Sequence, residues 1–198
     1  DRKIPGAEER AAPLGLRKLP AGSTAEAALR GMRVGPYELR EELGRGGMGT
    51  VYRGERVDGK VSQQVAIKFV RRELLSEATR QRFLLERQTL AAMEHPNIAR
   101  LLDAAALEDG SPYYVMEYVA GETLDRFVRR RTRLALADFV PIAAQVLKGL
   151  GEAHSRGIIH RDIKPANIML CERQGRANYV KILDFGLAKL VSGSSDIT

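Results

Sequence analysis

The 198-residue sequence predicts an α+β fold: a small antiparallel sheet with one main helix inserted, then a mainly helical part. Three observations predict it. Segments with alternating, β-branched character recur at 37–43, 50–57 and 64–70, the last reading "QVAIKFV". The apolar period then changes to helical over 76–93. A long apolar stripe finally runs through "ADFVPIAAQVLKGLGEAHSRG", residues 137–157. Alternation with period two marks a half-buried strand, and recurrence at three and four marks an amphipathic helix.

Residues 1–33 are rich in Ala, Gly, Pro and charge, have no sustained period, and read as a linker or tail. Order is expected to start near "GPYELREELG". The turn "VDGK" at 57–60 joins two strands into a hairpin. In the helix at 76–93, Ser76 stands at the N-cap position, and Phe83, Leu90 and Met93 share one face. Glu86 falls on that same apolar face. A carboxylate there is costly unless paired, so this helix asks for a cation from elsewhere. Strands are predicted again at 98–106 and 112–119, and "VRRRTR" suggests a short helix. In the long helix, Phe139, Ile142, Ala143, Val146, Leu150 and Ala153 form the stripe, and Pro141 sits in the first turn, where proline is tolerated.

The net charge is +7, and the densest basic run is "DRFVRRRTR", 125–133. With Phe127 as its one aromatic, it reads as a solvated helix face or a surface for an acidic protein rather than for nucleic acid. No apolar run is long enough to span a bilayer, and no signal-peptide pattern opens the chain. The single cysteine, Cys171, is expected to pack in the interior and cannot form an internal disulfide. No His or Cys spacing suggests zinc: His95 reads as a turn residue and His154 as a helix-end residue.

"ELGRGGMGTVYRG", 42–54, holds five glycines in thirteen positions. By itself it is either a tight turn or a loop that lies against phosphates. Three further segments bear on it: "VAIK" with Lys68 in a strand, "HRDIKPANIML" at 160–170, and "DFG" at 184–186. The polar loop of the second segment is flanked by apolar "IIH" and "IML", as a loop held by buried strands would be. Glycine loop, strand lysine, helix glutamate, H-R-D-x-K-x-x-N and D-F-G occur in that order, which makes a specific combined signal.

On these motifs, and on "HPNIARLLD", "YYVMEYVAGETL" and "DFGLAKL", residues from about 35 to 190 resemble the eukaryotic-type protein kinase family, and within it the bacterial serine/threonine kinases. The resemblance implies a two-lobed fold, with an ATP-binding lobe at 34–118 and a partial second lobe at 119–198 ending in the activation loop. It implies ATP and Mg²⁺ as cofactors. Leu43, Gly44, Gly46, Gly47, Gly49, Val51, Ala66 and Met169 would lie along the nucleotide, with Met116 behind the adenine. Glu117 to Val119 would offer backbone hydrogen bonds to the base. Either Glu122 or Asp125 would contact the ribose. Lys68 would hold the α- and β-phosphates, with Glu86 as its ion-pair partner. Asp162 would be the catalytic base, Lys164 would reach the transferring phosphate, and Asn167 and Asp184 would bind Mg²⁺, whose preference is for hard oxygen donors. His160 and Phe185 would stack with Leu90 and Leu101 in a column joining the lobes.

The implied function is transfer of the ATP γ-phosphate to a Ser or Thr hydroxyl of a protein. A catalytically silent nucleotide-binding scaffold is the alternative, and the presence of Lys68, Glu86, Asp162, Asn167 and Asp184 speaks against it. The "DIKPAN" form points to Ser/Thr rather than Tyr substrates. Arg161 would pair with a phosphorylated activation loop, where Ser192, Ser194, Ser195 and Thr198 are candidates for self-phosphorylation in trans. A cytoplasmic location is expected, either of the whole protein or as the cytosolic part of a longer, membrane-anchored one. The family's A-P-E segment does not occur, so residues 1–198 alone are expected to be weakly active and to belong to a longer protein.

Overall fold

The computed structural model describes residues 29–47, 49–71, 92–131 and 133–185. The helix expected at 76–93, including Phe83, Glu86 and Leu90, lies outside these residues except for its last positions, as do Gly186 and the activation-loop Ser and Thr candidates.

The first sheet has six strands in the order β1-β2-β3-β4-β6-β5, every neighbouring pair antiparallel. They are β1 (Arg33–Val34), β2 (Tyr37–Gly46), β3 (Gly49–Arg56), β4 (Gln64–Val70), β5 (Leu101–Ala106) and β6 (Pro112–Glu117). The two-residue pleat sorts β4 into two faces. Val65, Ile67 and Phe69 enter a core with Leu39, Tyr52 and Val115. Ala66 and Lys68 point the other way. Val51 lies opposite Lys68 in β3, and Met116 lies opposite Ala66 in β6. One face of the sheet is therefore core, and the other is a wall ready for a ligand.

A second sheet, in the order β7-β8-β9, combines β7 (Glu122–Thr123), β8 (Ile168–Arg173) and β9 (Arg176–Ile182). Helix α1 is Leu124–Arg131 and α2 is Leu136–Ser155. Helix α2 lies on β9 through Ile142 and the close approach of Gly149, where a Cβ would stand 2.9 Å from Ile182 Cδ1.

Several boundaries differ from those read in the sequence. Order begins before residue 35: Leu29 and Val34 are buried in the first core, and β1 adds an edge to the sheet. A short edge strand has too few residues to show a period. The strand expected at 98–106 starts only at Leu101, because Ile98 leaves to form a parallel bridge with Ile182, with Ala99 N–H donating to Ile182 O and Ile182 N–H to Asn97 O. The strand at 112–119 ends at Glu117, and the chain then crosses to the second sheet. There Gly121 runs so close to β8 that a Cβ would lie 2.2 Å from Leu170 O. The short helix starts at Leu124, earlier than "VRRRTR", because the Thr123 hydroxyl accepts the Arg126 N–H at its first turn. Phe139 is exposed rather than part of the buried stripe, which follows β9 and includes Ile142, Gly149 and Ala153. "IIH" before the polar loop is not a strand, although Ile158 and His160 are buried. Cys171 lies within β8 and is half-buried, its Sγ 3.3 Å from Tyr179 O. His95 is a turn residue whose Nδ1 accepts the Asn97 N–H, and His154 ends α2. Among the described residues, no helix is long and apolar enough to cross a membrane.

Candidate active site

Between the two sheets lies a cleft of about 650 Å³. Its upper wall comes from β2 and β3. Their connection is a glycine hairpin, with Gly46 opposite Gly49 and register shifts between Leu39 and Gly44. Gly49 has φ +149°, and a Cβ there would sit 1.9 Å from the Phe69 carbonyl oxygen, so the fold itself requires glycine at this position. Gly44, Gly46 and Gly47 meet no such neighbour; a Cβ on each would point into open space. These three are dispensable for the fold, and any demand for glycine there comes from what lies in the cleft.

All the described candidates except Asp125 line this cleft: Leu43, the four glycines, Val51, Ala66 and Lys68 from β2 to β4, Met116 and Glu117 from the end of β6, Val119 from the crossing that follows it, and Asp162, Lys164, Asn167, Met169 and Asp184 from below. Glu86 lies outside the described residues. Lys68 is buried, and its Nζ stands 2.7 Å from Asp184 Oδ2, a contact across 116 residues of chain. The Glu117 side chain turns away from the cleft: its Oε2 accepts from the buried Lys181 Nζ at 2.8 Å and from Arg100 N–H at 3.2 Å. The end of β6 is thereby tied to β9, and Glu117 has only its backbone left for a ligand.

Asp162 is held by its own loop. Its N–H donates to His160 Nδ1 at 3.3 Å, so the hydrogen of this neutral imidazole sits on Nε2 and is donated to Leu183 O at 2.8 Å. His160 is buried and packs edge-on against Phe185, ring centroids 4.6 Å apart; Leu101 packs against the same core, and Leu90 lies outside the described residues. Asp162 Oδ2 accepts from Lys164 Nζ at 2.7 Å and from Asn167 Nδ2 at 3.1 Å, while the same Nδ2 donates to Asp162 O at 2.8 Å. The Lys164 ammonium, helped by Asn167 and opposed by partial burial, holds the Asp162 carboxyl below its ordinary value. The group is an ionised acceptor at neutral pH. Arg161 and Asp184 adopt left-handed backbone, φ 64° and 58°, a strained conformation that a fold keeps where side chains must be aimed.

These donors fit a nucleotide with a divalent cation. Asp184 supplies carboxylate oxygens, and Asn167, with its amide nitrogen committed to Asp162, presents its carbonyl oxygen. No cluster of three or more His, Cys, Asp or Glu able to hold a metal occurs among the described residues. Mg²⁺ takes few protein ligands and fills its shell with water and phosphate, which matches a pair of oxygen donors. The sequence did not single out Arg45, Gly121, Thr123, Arg126, Ala166 and Leu183, which also line the cleft. Glu122 lines it too, whereas Asp125 pairs with Arg129 at 3.0 Å.

Comparison with known proteins gives one answer. Serine/threonine-protein kinase pkn3 of Myxococcus xanthus is 40% identical over 161 residues, 81% of this chain and 29% of that protein. PknB of Mycobacterium leprae is 37% identical over 82% of this chain and 26% of its own length. The chain thus spans less than a third of these curated relatives. Among solved structures, the Mycobacterium tuberculosis PknI kinase domain superposes with a TM-score of 0.71 at 27% identity, over 84% of this chain and 64% of that one. Rad53 in complex with AMP-PNP gives 0.66 at 30% identity, over 77% and 38%. The protein kinase domain family matches residues 37–198. With its glycine hairpin, buried Lys68 and paired Asp162 and Asp184 in one cleft, the chain belongs to the protein kinase domain family.

Proposed function

We propose that the protein transfers the γ-phosphate of ATP to a Ser or Thr hydroxyl of a protein substrate. The convergence of Lys68, Asp162, Asn167 and Asp184 on one cleft, from segments up to 116 residues apart, carries this reading. Such transfer depends mainly on positioning and on neutralising negative charge. When bound, Mg²⁺ supplies part of that neutralisation. Gly44, Gly46 and Gly47 let the backbone approach the phosphates, and Lys68 takes the α- and β-phosphates, leaving Asp184 and Asn167 to hold the cation. Leu43, Val51, Ala66, Met116 and Met169 form the apolar slot for adenine, with backbone groups of Glu117 and Val119 at its edge. Asp162 accepts the substrate hydroxyl proton on its carboxylate, and Lys164 moves from Asp162 toward the transferring phosphate. Glu86, outside the described residues, would be the ion-pair partner of Lys68. Residues 34–118 and 119–198 act as the two lobes. An ATP-consuming domain of this kind works in the cytoplasm, and self-phosphorylation in trans falls on the segment after Asp184.

The test is phosphoryl transfer by the full-length protein with Asp162→Asn beside it. Wild type should turn over at about 1–100 per second, typical of such enzymes. Asp162→Asn should lose transfer while keeping nucleotide affinity. Equal inactivity of both, with nucleotide bound by both, would favour the silent scaffold. Phosphopeptide mapping after incubation with Mg-ATP tests the self-phosphorylation.

A further inference from the structure

The basic run 125–133 is the one motif that the site does not absorb, and the fold disposes of most of it. Arg129 pairs with Asp125 at 3.0 Å, Arg130 with Glu122 at 2.6 Å and Arg131 with Asp138 at 2.9 Å. Arg131 also lies over the Phe127 ring at 4.3 Å. These arginines hold α1 and its neighbours together and are not a free basic face.

Arg126 is different. It is exposed in the first turn of α1 and lines the cleft. Eight charged residues line that cleft, and the side chains of seven have an ion-pair partner: Arg45 has Glu42, Lys68 has Asp184, Glu117 has Lys181, Glu122 has Arg130, and Asp162 has Lys164. Among the described residues, Arg126 alone has none. It stands beside Gly121, Glu122 and Thr123, on the side of the cleft where the chain crosses between the sheets. In the proposed function the nucleotide phosphates lie elsewhere, at Lys68 and the glycine hairpin, with the cation at Asp184. The ribose on this side carries no charge. An anion for Arg126 therefore has to come from the second substrate.

We propose that Arg126 is a specificity-determining residue that selects protein substrates with an Asp or Glu near the phosphorylated Ser or Thr. This rests on the kinase reading above. A guanidinium presents fixed N–H donors that match a carboxylate in two-point fashion. The chain's net charge of +7 also favours encounter with acidic partners. An exposed pair of this kind contributes about fivefold at most, and salt weakens it.

The experiment measures kcat/KM of the full-length protein on matched Ser/Thr peptides that carry Asp, Ala or Arg at successive positions around the acceptor, at saturating Mg-ATP. Wild type should prefer acidic peptides about fivefold at low salt, and less at high salt. Arg126→Ala should abolish the preference, Arg126→Lys should keep part of it, and Arg126→Glu should invert it toward basic peptides. The KM for ATP should stay put in all three. Arg133→Ala, an exposed arginine outside the cleft, should change nothing. If Arg126→Glu keeps the acidic preference, or its effect appears in the KM for ATP instead, the assignment is wrong. If wild type phosphorylates the neutral peptide with no acidic preference, only this inference falls. If wild type phosphorylates no peptide, the kinase reading falls with it.

Discussion

Replacing Gly49 by alanine separates what the fold demands of the glycine hairpin from what a ligand demands of it. A Cβ at Gly49 would meet the Phe69 carbonyl oxygen at 1.9 Å, against the 3.0 Å below which real Cβ atoms essentially never approach. The oxygen, or the strand bearing the new methyl, must move by about 1.1 Å, the difference between those two distances. Gly49 and Thr50 pair with Val70 and Phe69, so the movement opens the end of the β3–β4 ladder. One or two ladder hydrogen bonds are weakened at about 1 kcal/mol each. Alanine at φ +149° adds strain of about 1–3 kcal/mol. The sum, about 2–5 kcal/mol, lowers the melting temperature by roughly 4–20 °C for a domain of this size. Gly44→Ala and Gly46→Ala meet nothing within 4 Å and should melt within a degree or two of wild type. Their loss should appear only when ATP is added, as weaker binding and a smaller ligand-induced rise in melting temperature. Thermal unfolding of the three variants with and without nucleotide checks this. A Gly49→Ala protein as stable as wild type, or a Gly44→Ala protein equally damaged without ligand, would refute the division.

Two more expectations concern charge. Lys181→Met removes the cation that holds Glu117, and should destabilise the protein by about 1–3 kcal/mol, less than a fully buried pair because Glu117 keeps a third of its side chain exposed; a double-mutant cycle with Glu117→Gln in denaturant unfolding should show clear coupling between the two. Lys164→Met should lower the maximal rate and also shift the acid limb of the pH–rate profile. In the wild type, the Asp162 carboxyl is held below the ordinary aspartate value of 3.8, so that group stays ionised down to below that pH. Without the ammonium, burial raises it, and activity should fail at higher pH on acidification. The stability this depressed carboxyl contributes is present above the ordinary value and is lost as pH falls through the lowered one. An acid limb that does not move would show that Lys164 does not set the charge of Asp162.

The alternating strands and the long helix were legible in the sequence, and so, through the family resemblance, were most residues of the cleft. The elements depend on short-range regularity, the pleat that puts Ala66 and Lys68 on one face and the stripe of α2; the roles of Asp162, Lys164 and Asn167 within one loop came with the resemblance. The order of the motifs along the chain carries the resemblance to the family. The tertiary structure alone decided what meets across long separations. That Lys68 touches Asp184, that Lys181 holds Glu117 from behind, and that Ile98 leaves its strand to bridge Ile182 leave no local period to read. The same holds for glycine. Gly44, Gly46 and Gly49 look alike in the sequence, yet only Gly49 is pressed against another strand. Likewise, the arginines of α1 form one basic run until the fold supplies carboxylates to Arg129, Arg130 and Arg131 and leaves Arg126 in the cleft. Spacing along the chain tells which residues share a face; only packing tells what that face meets.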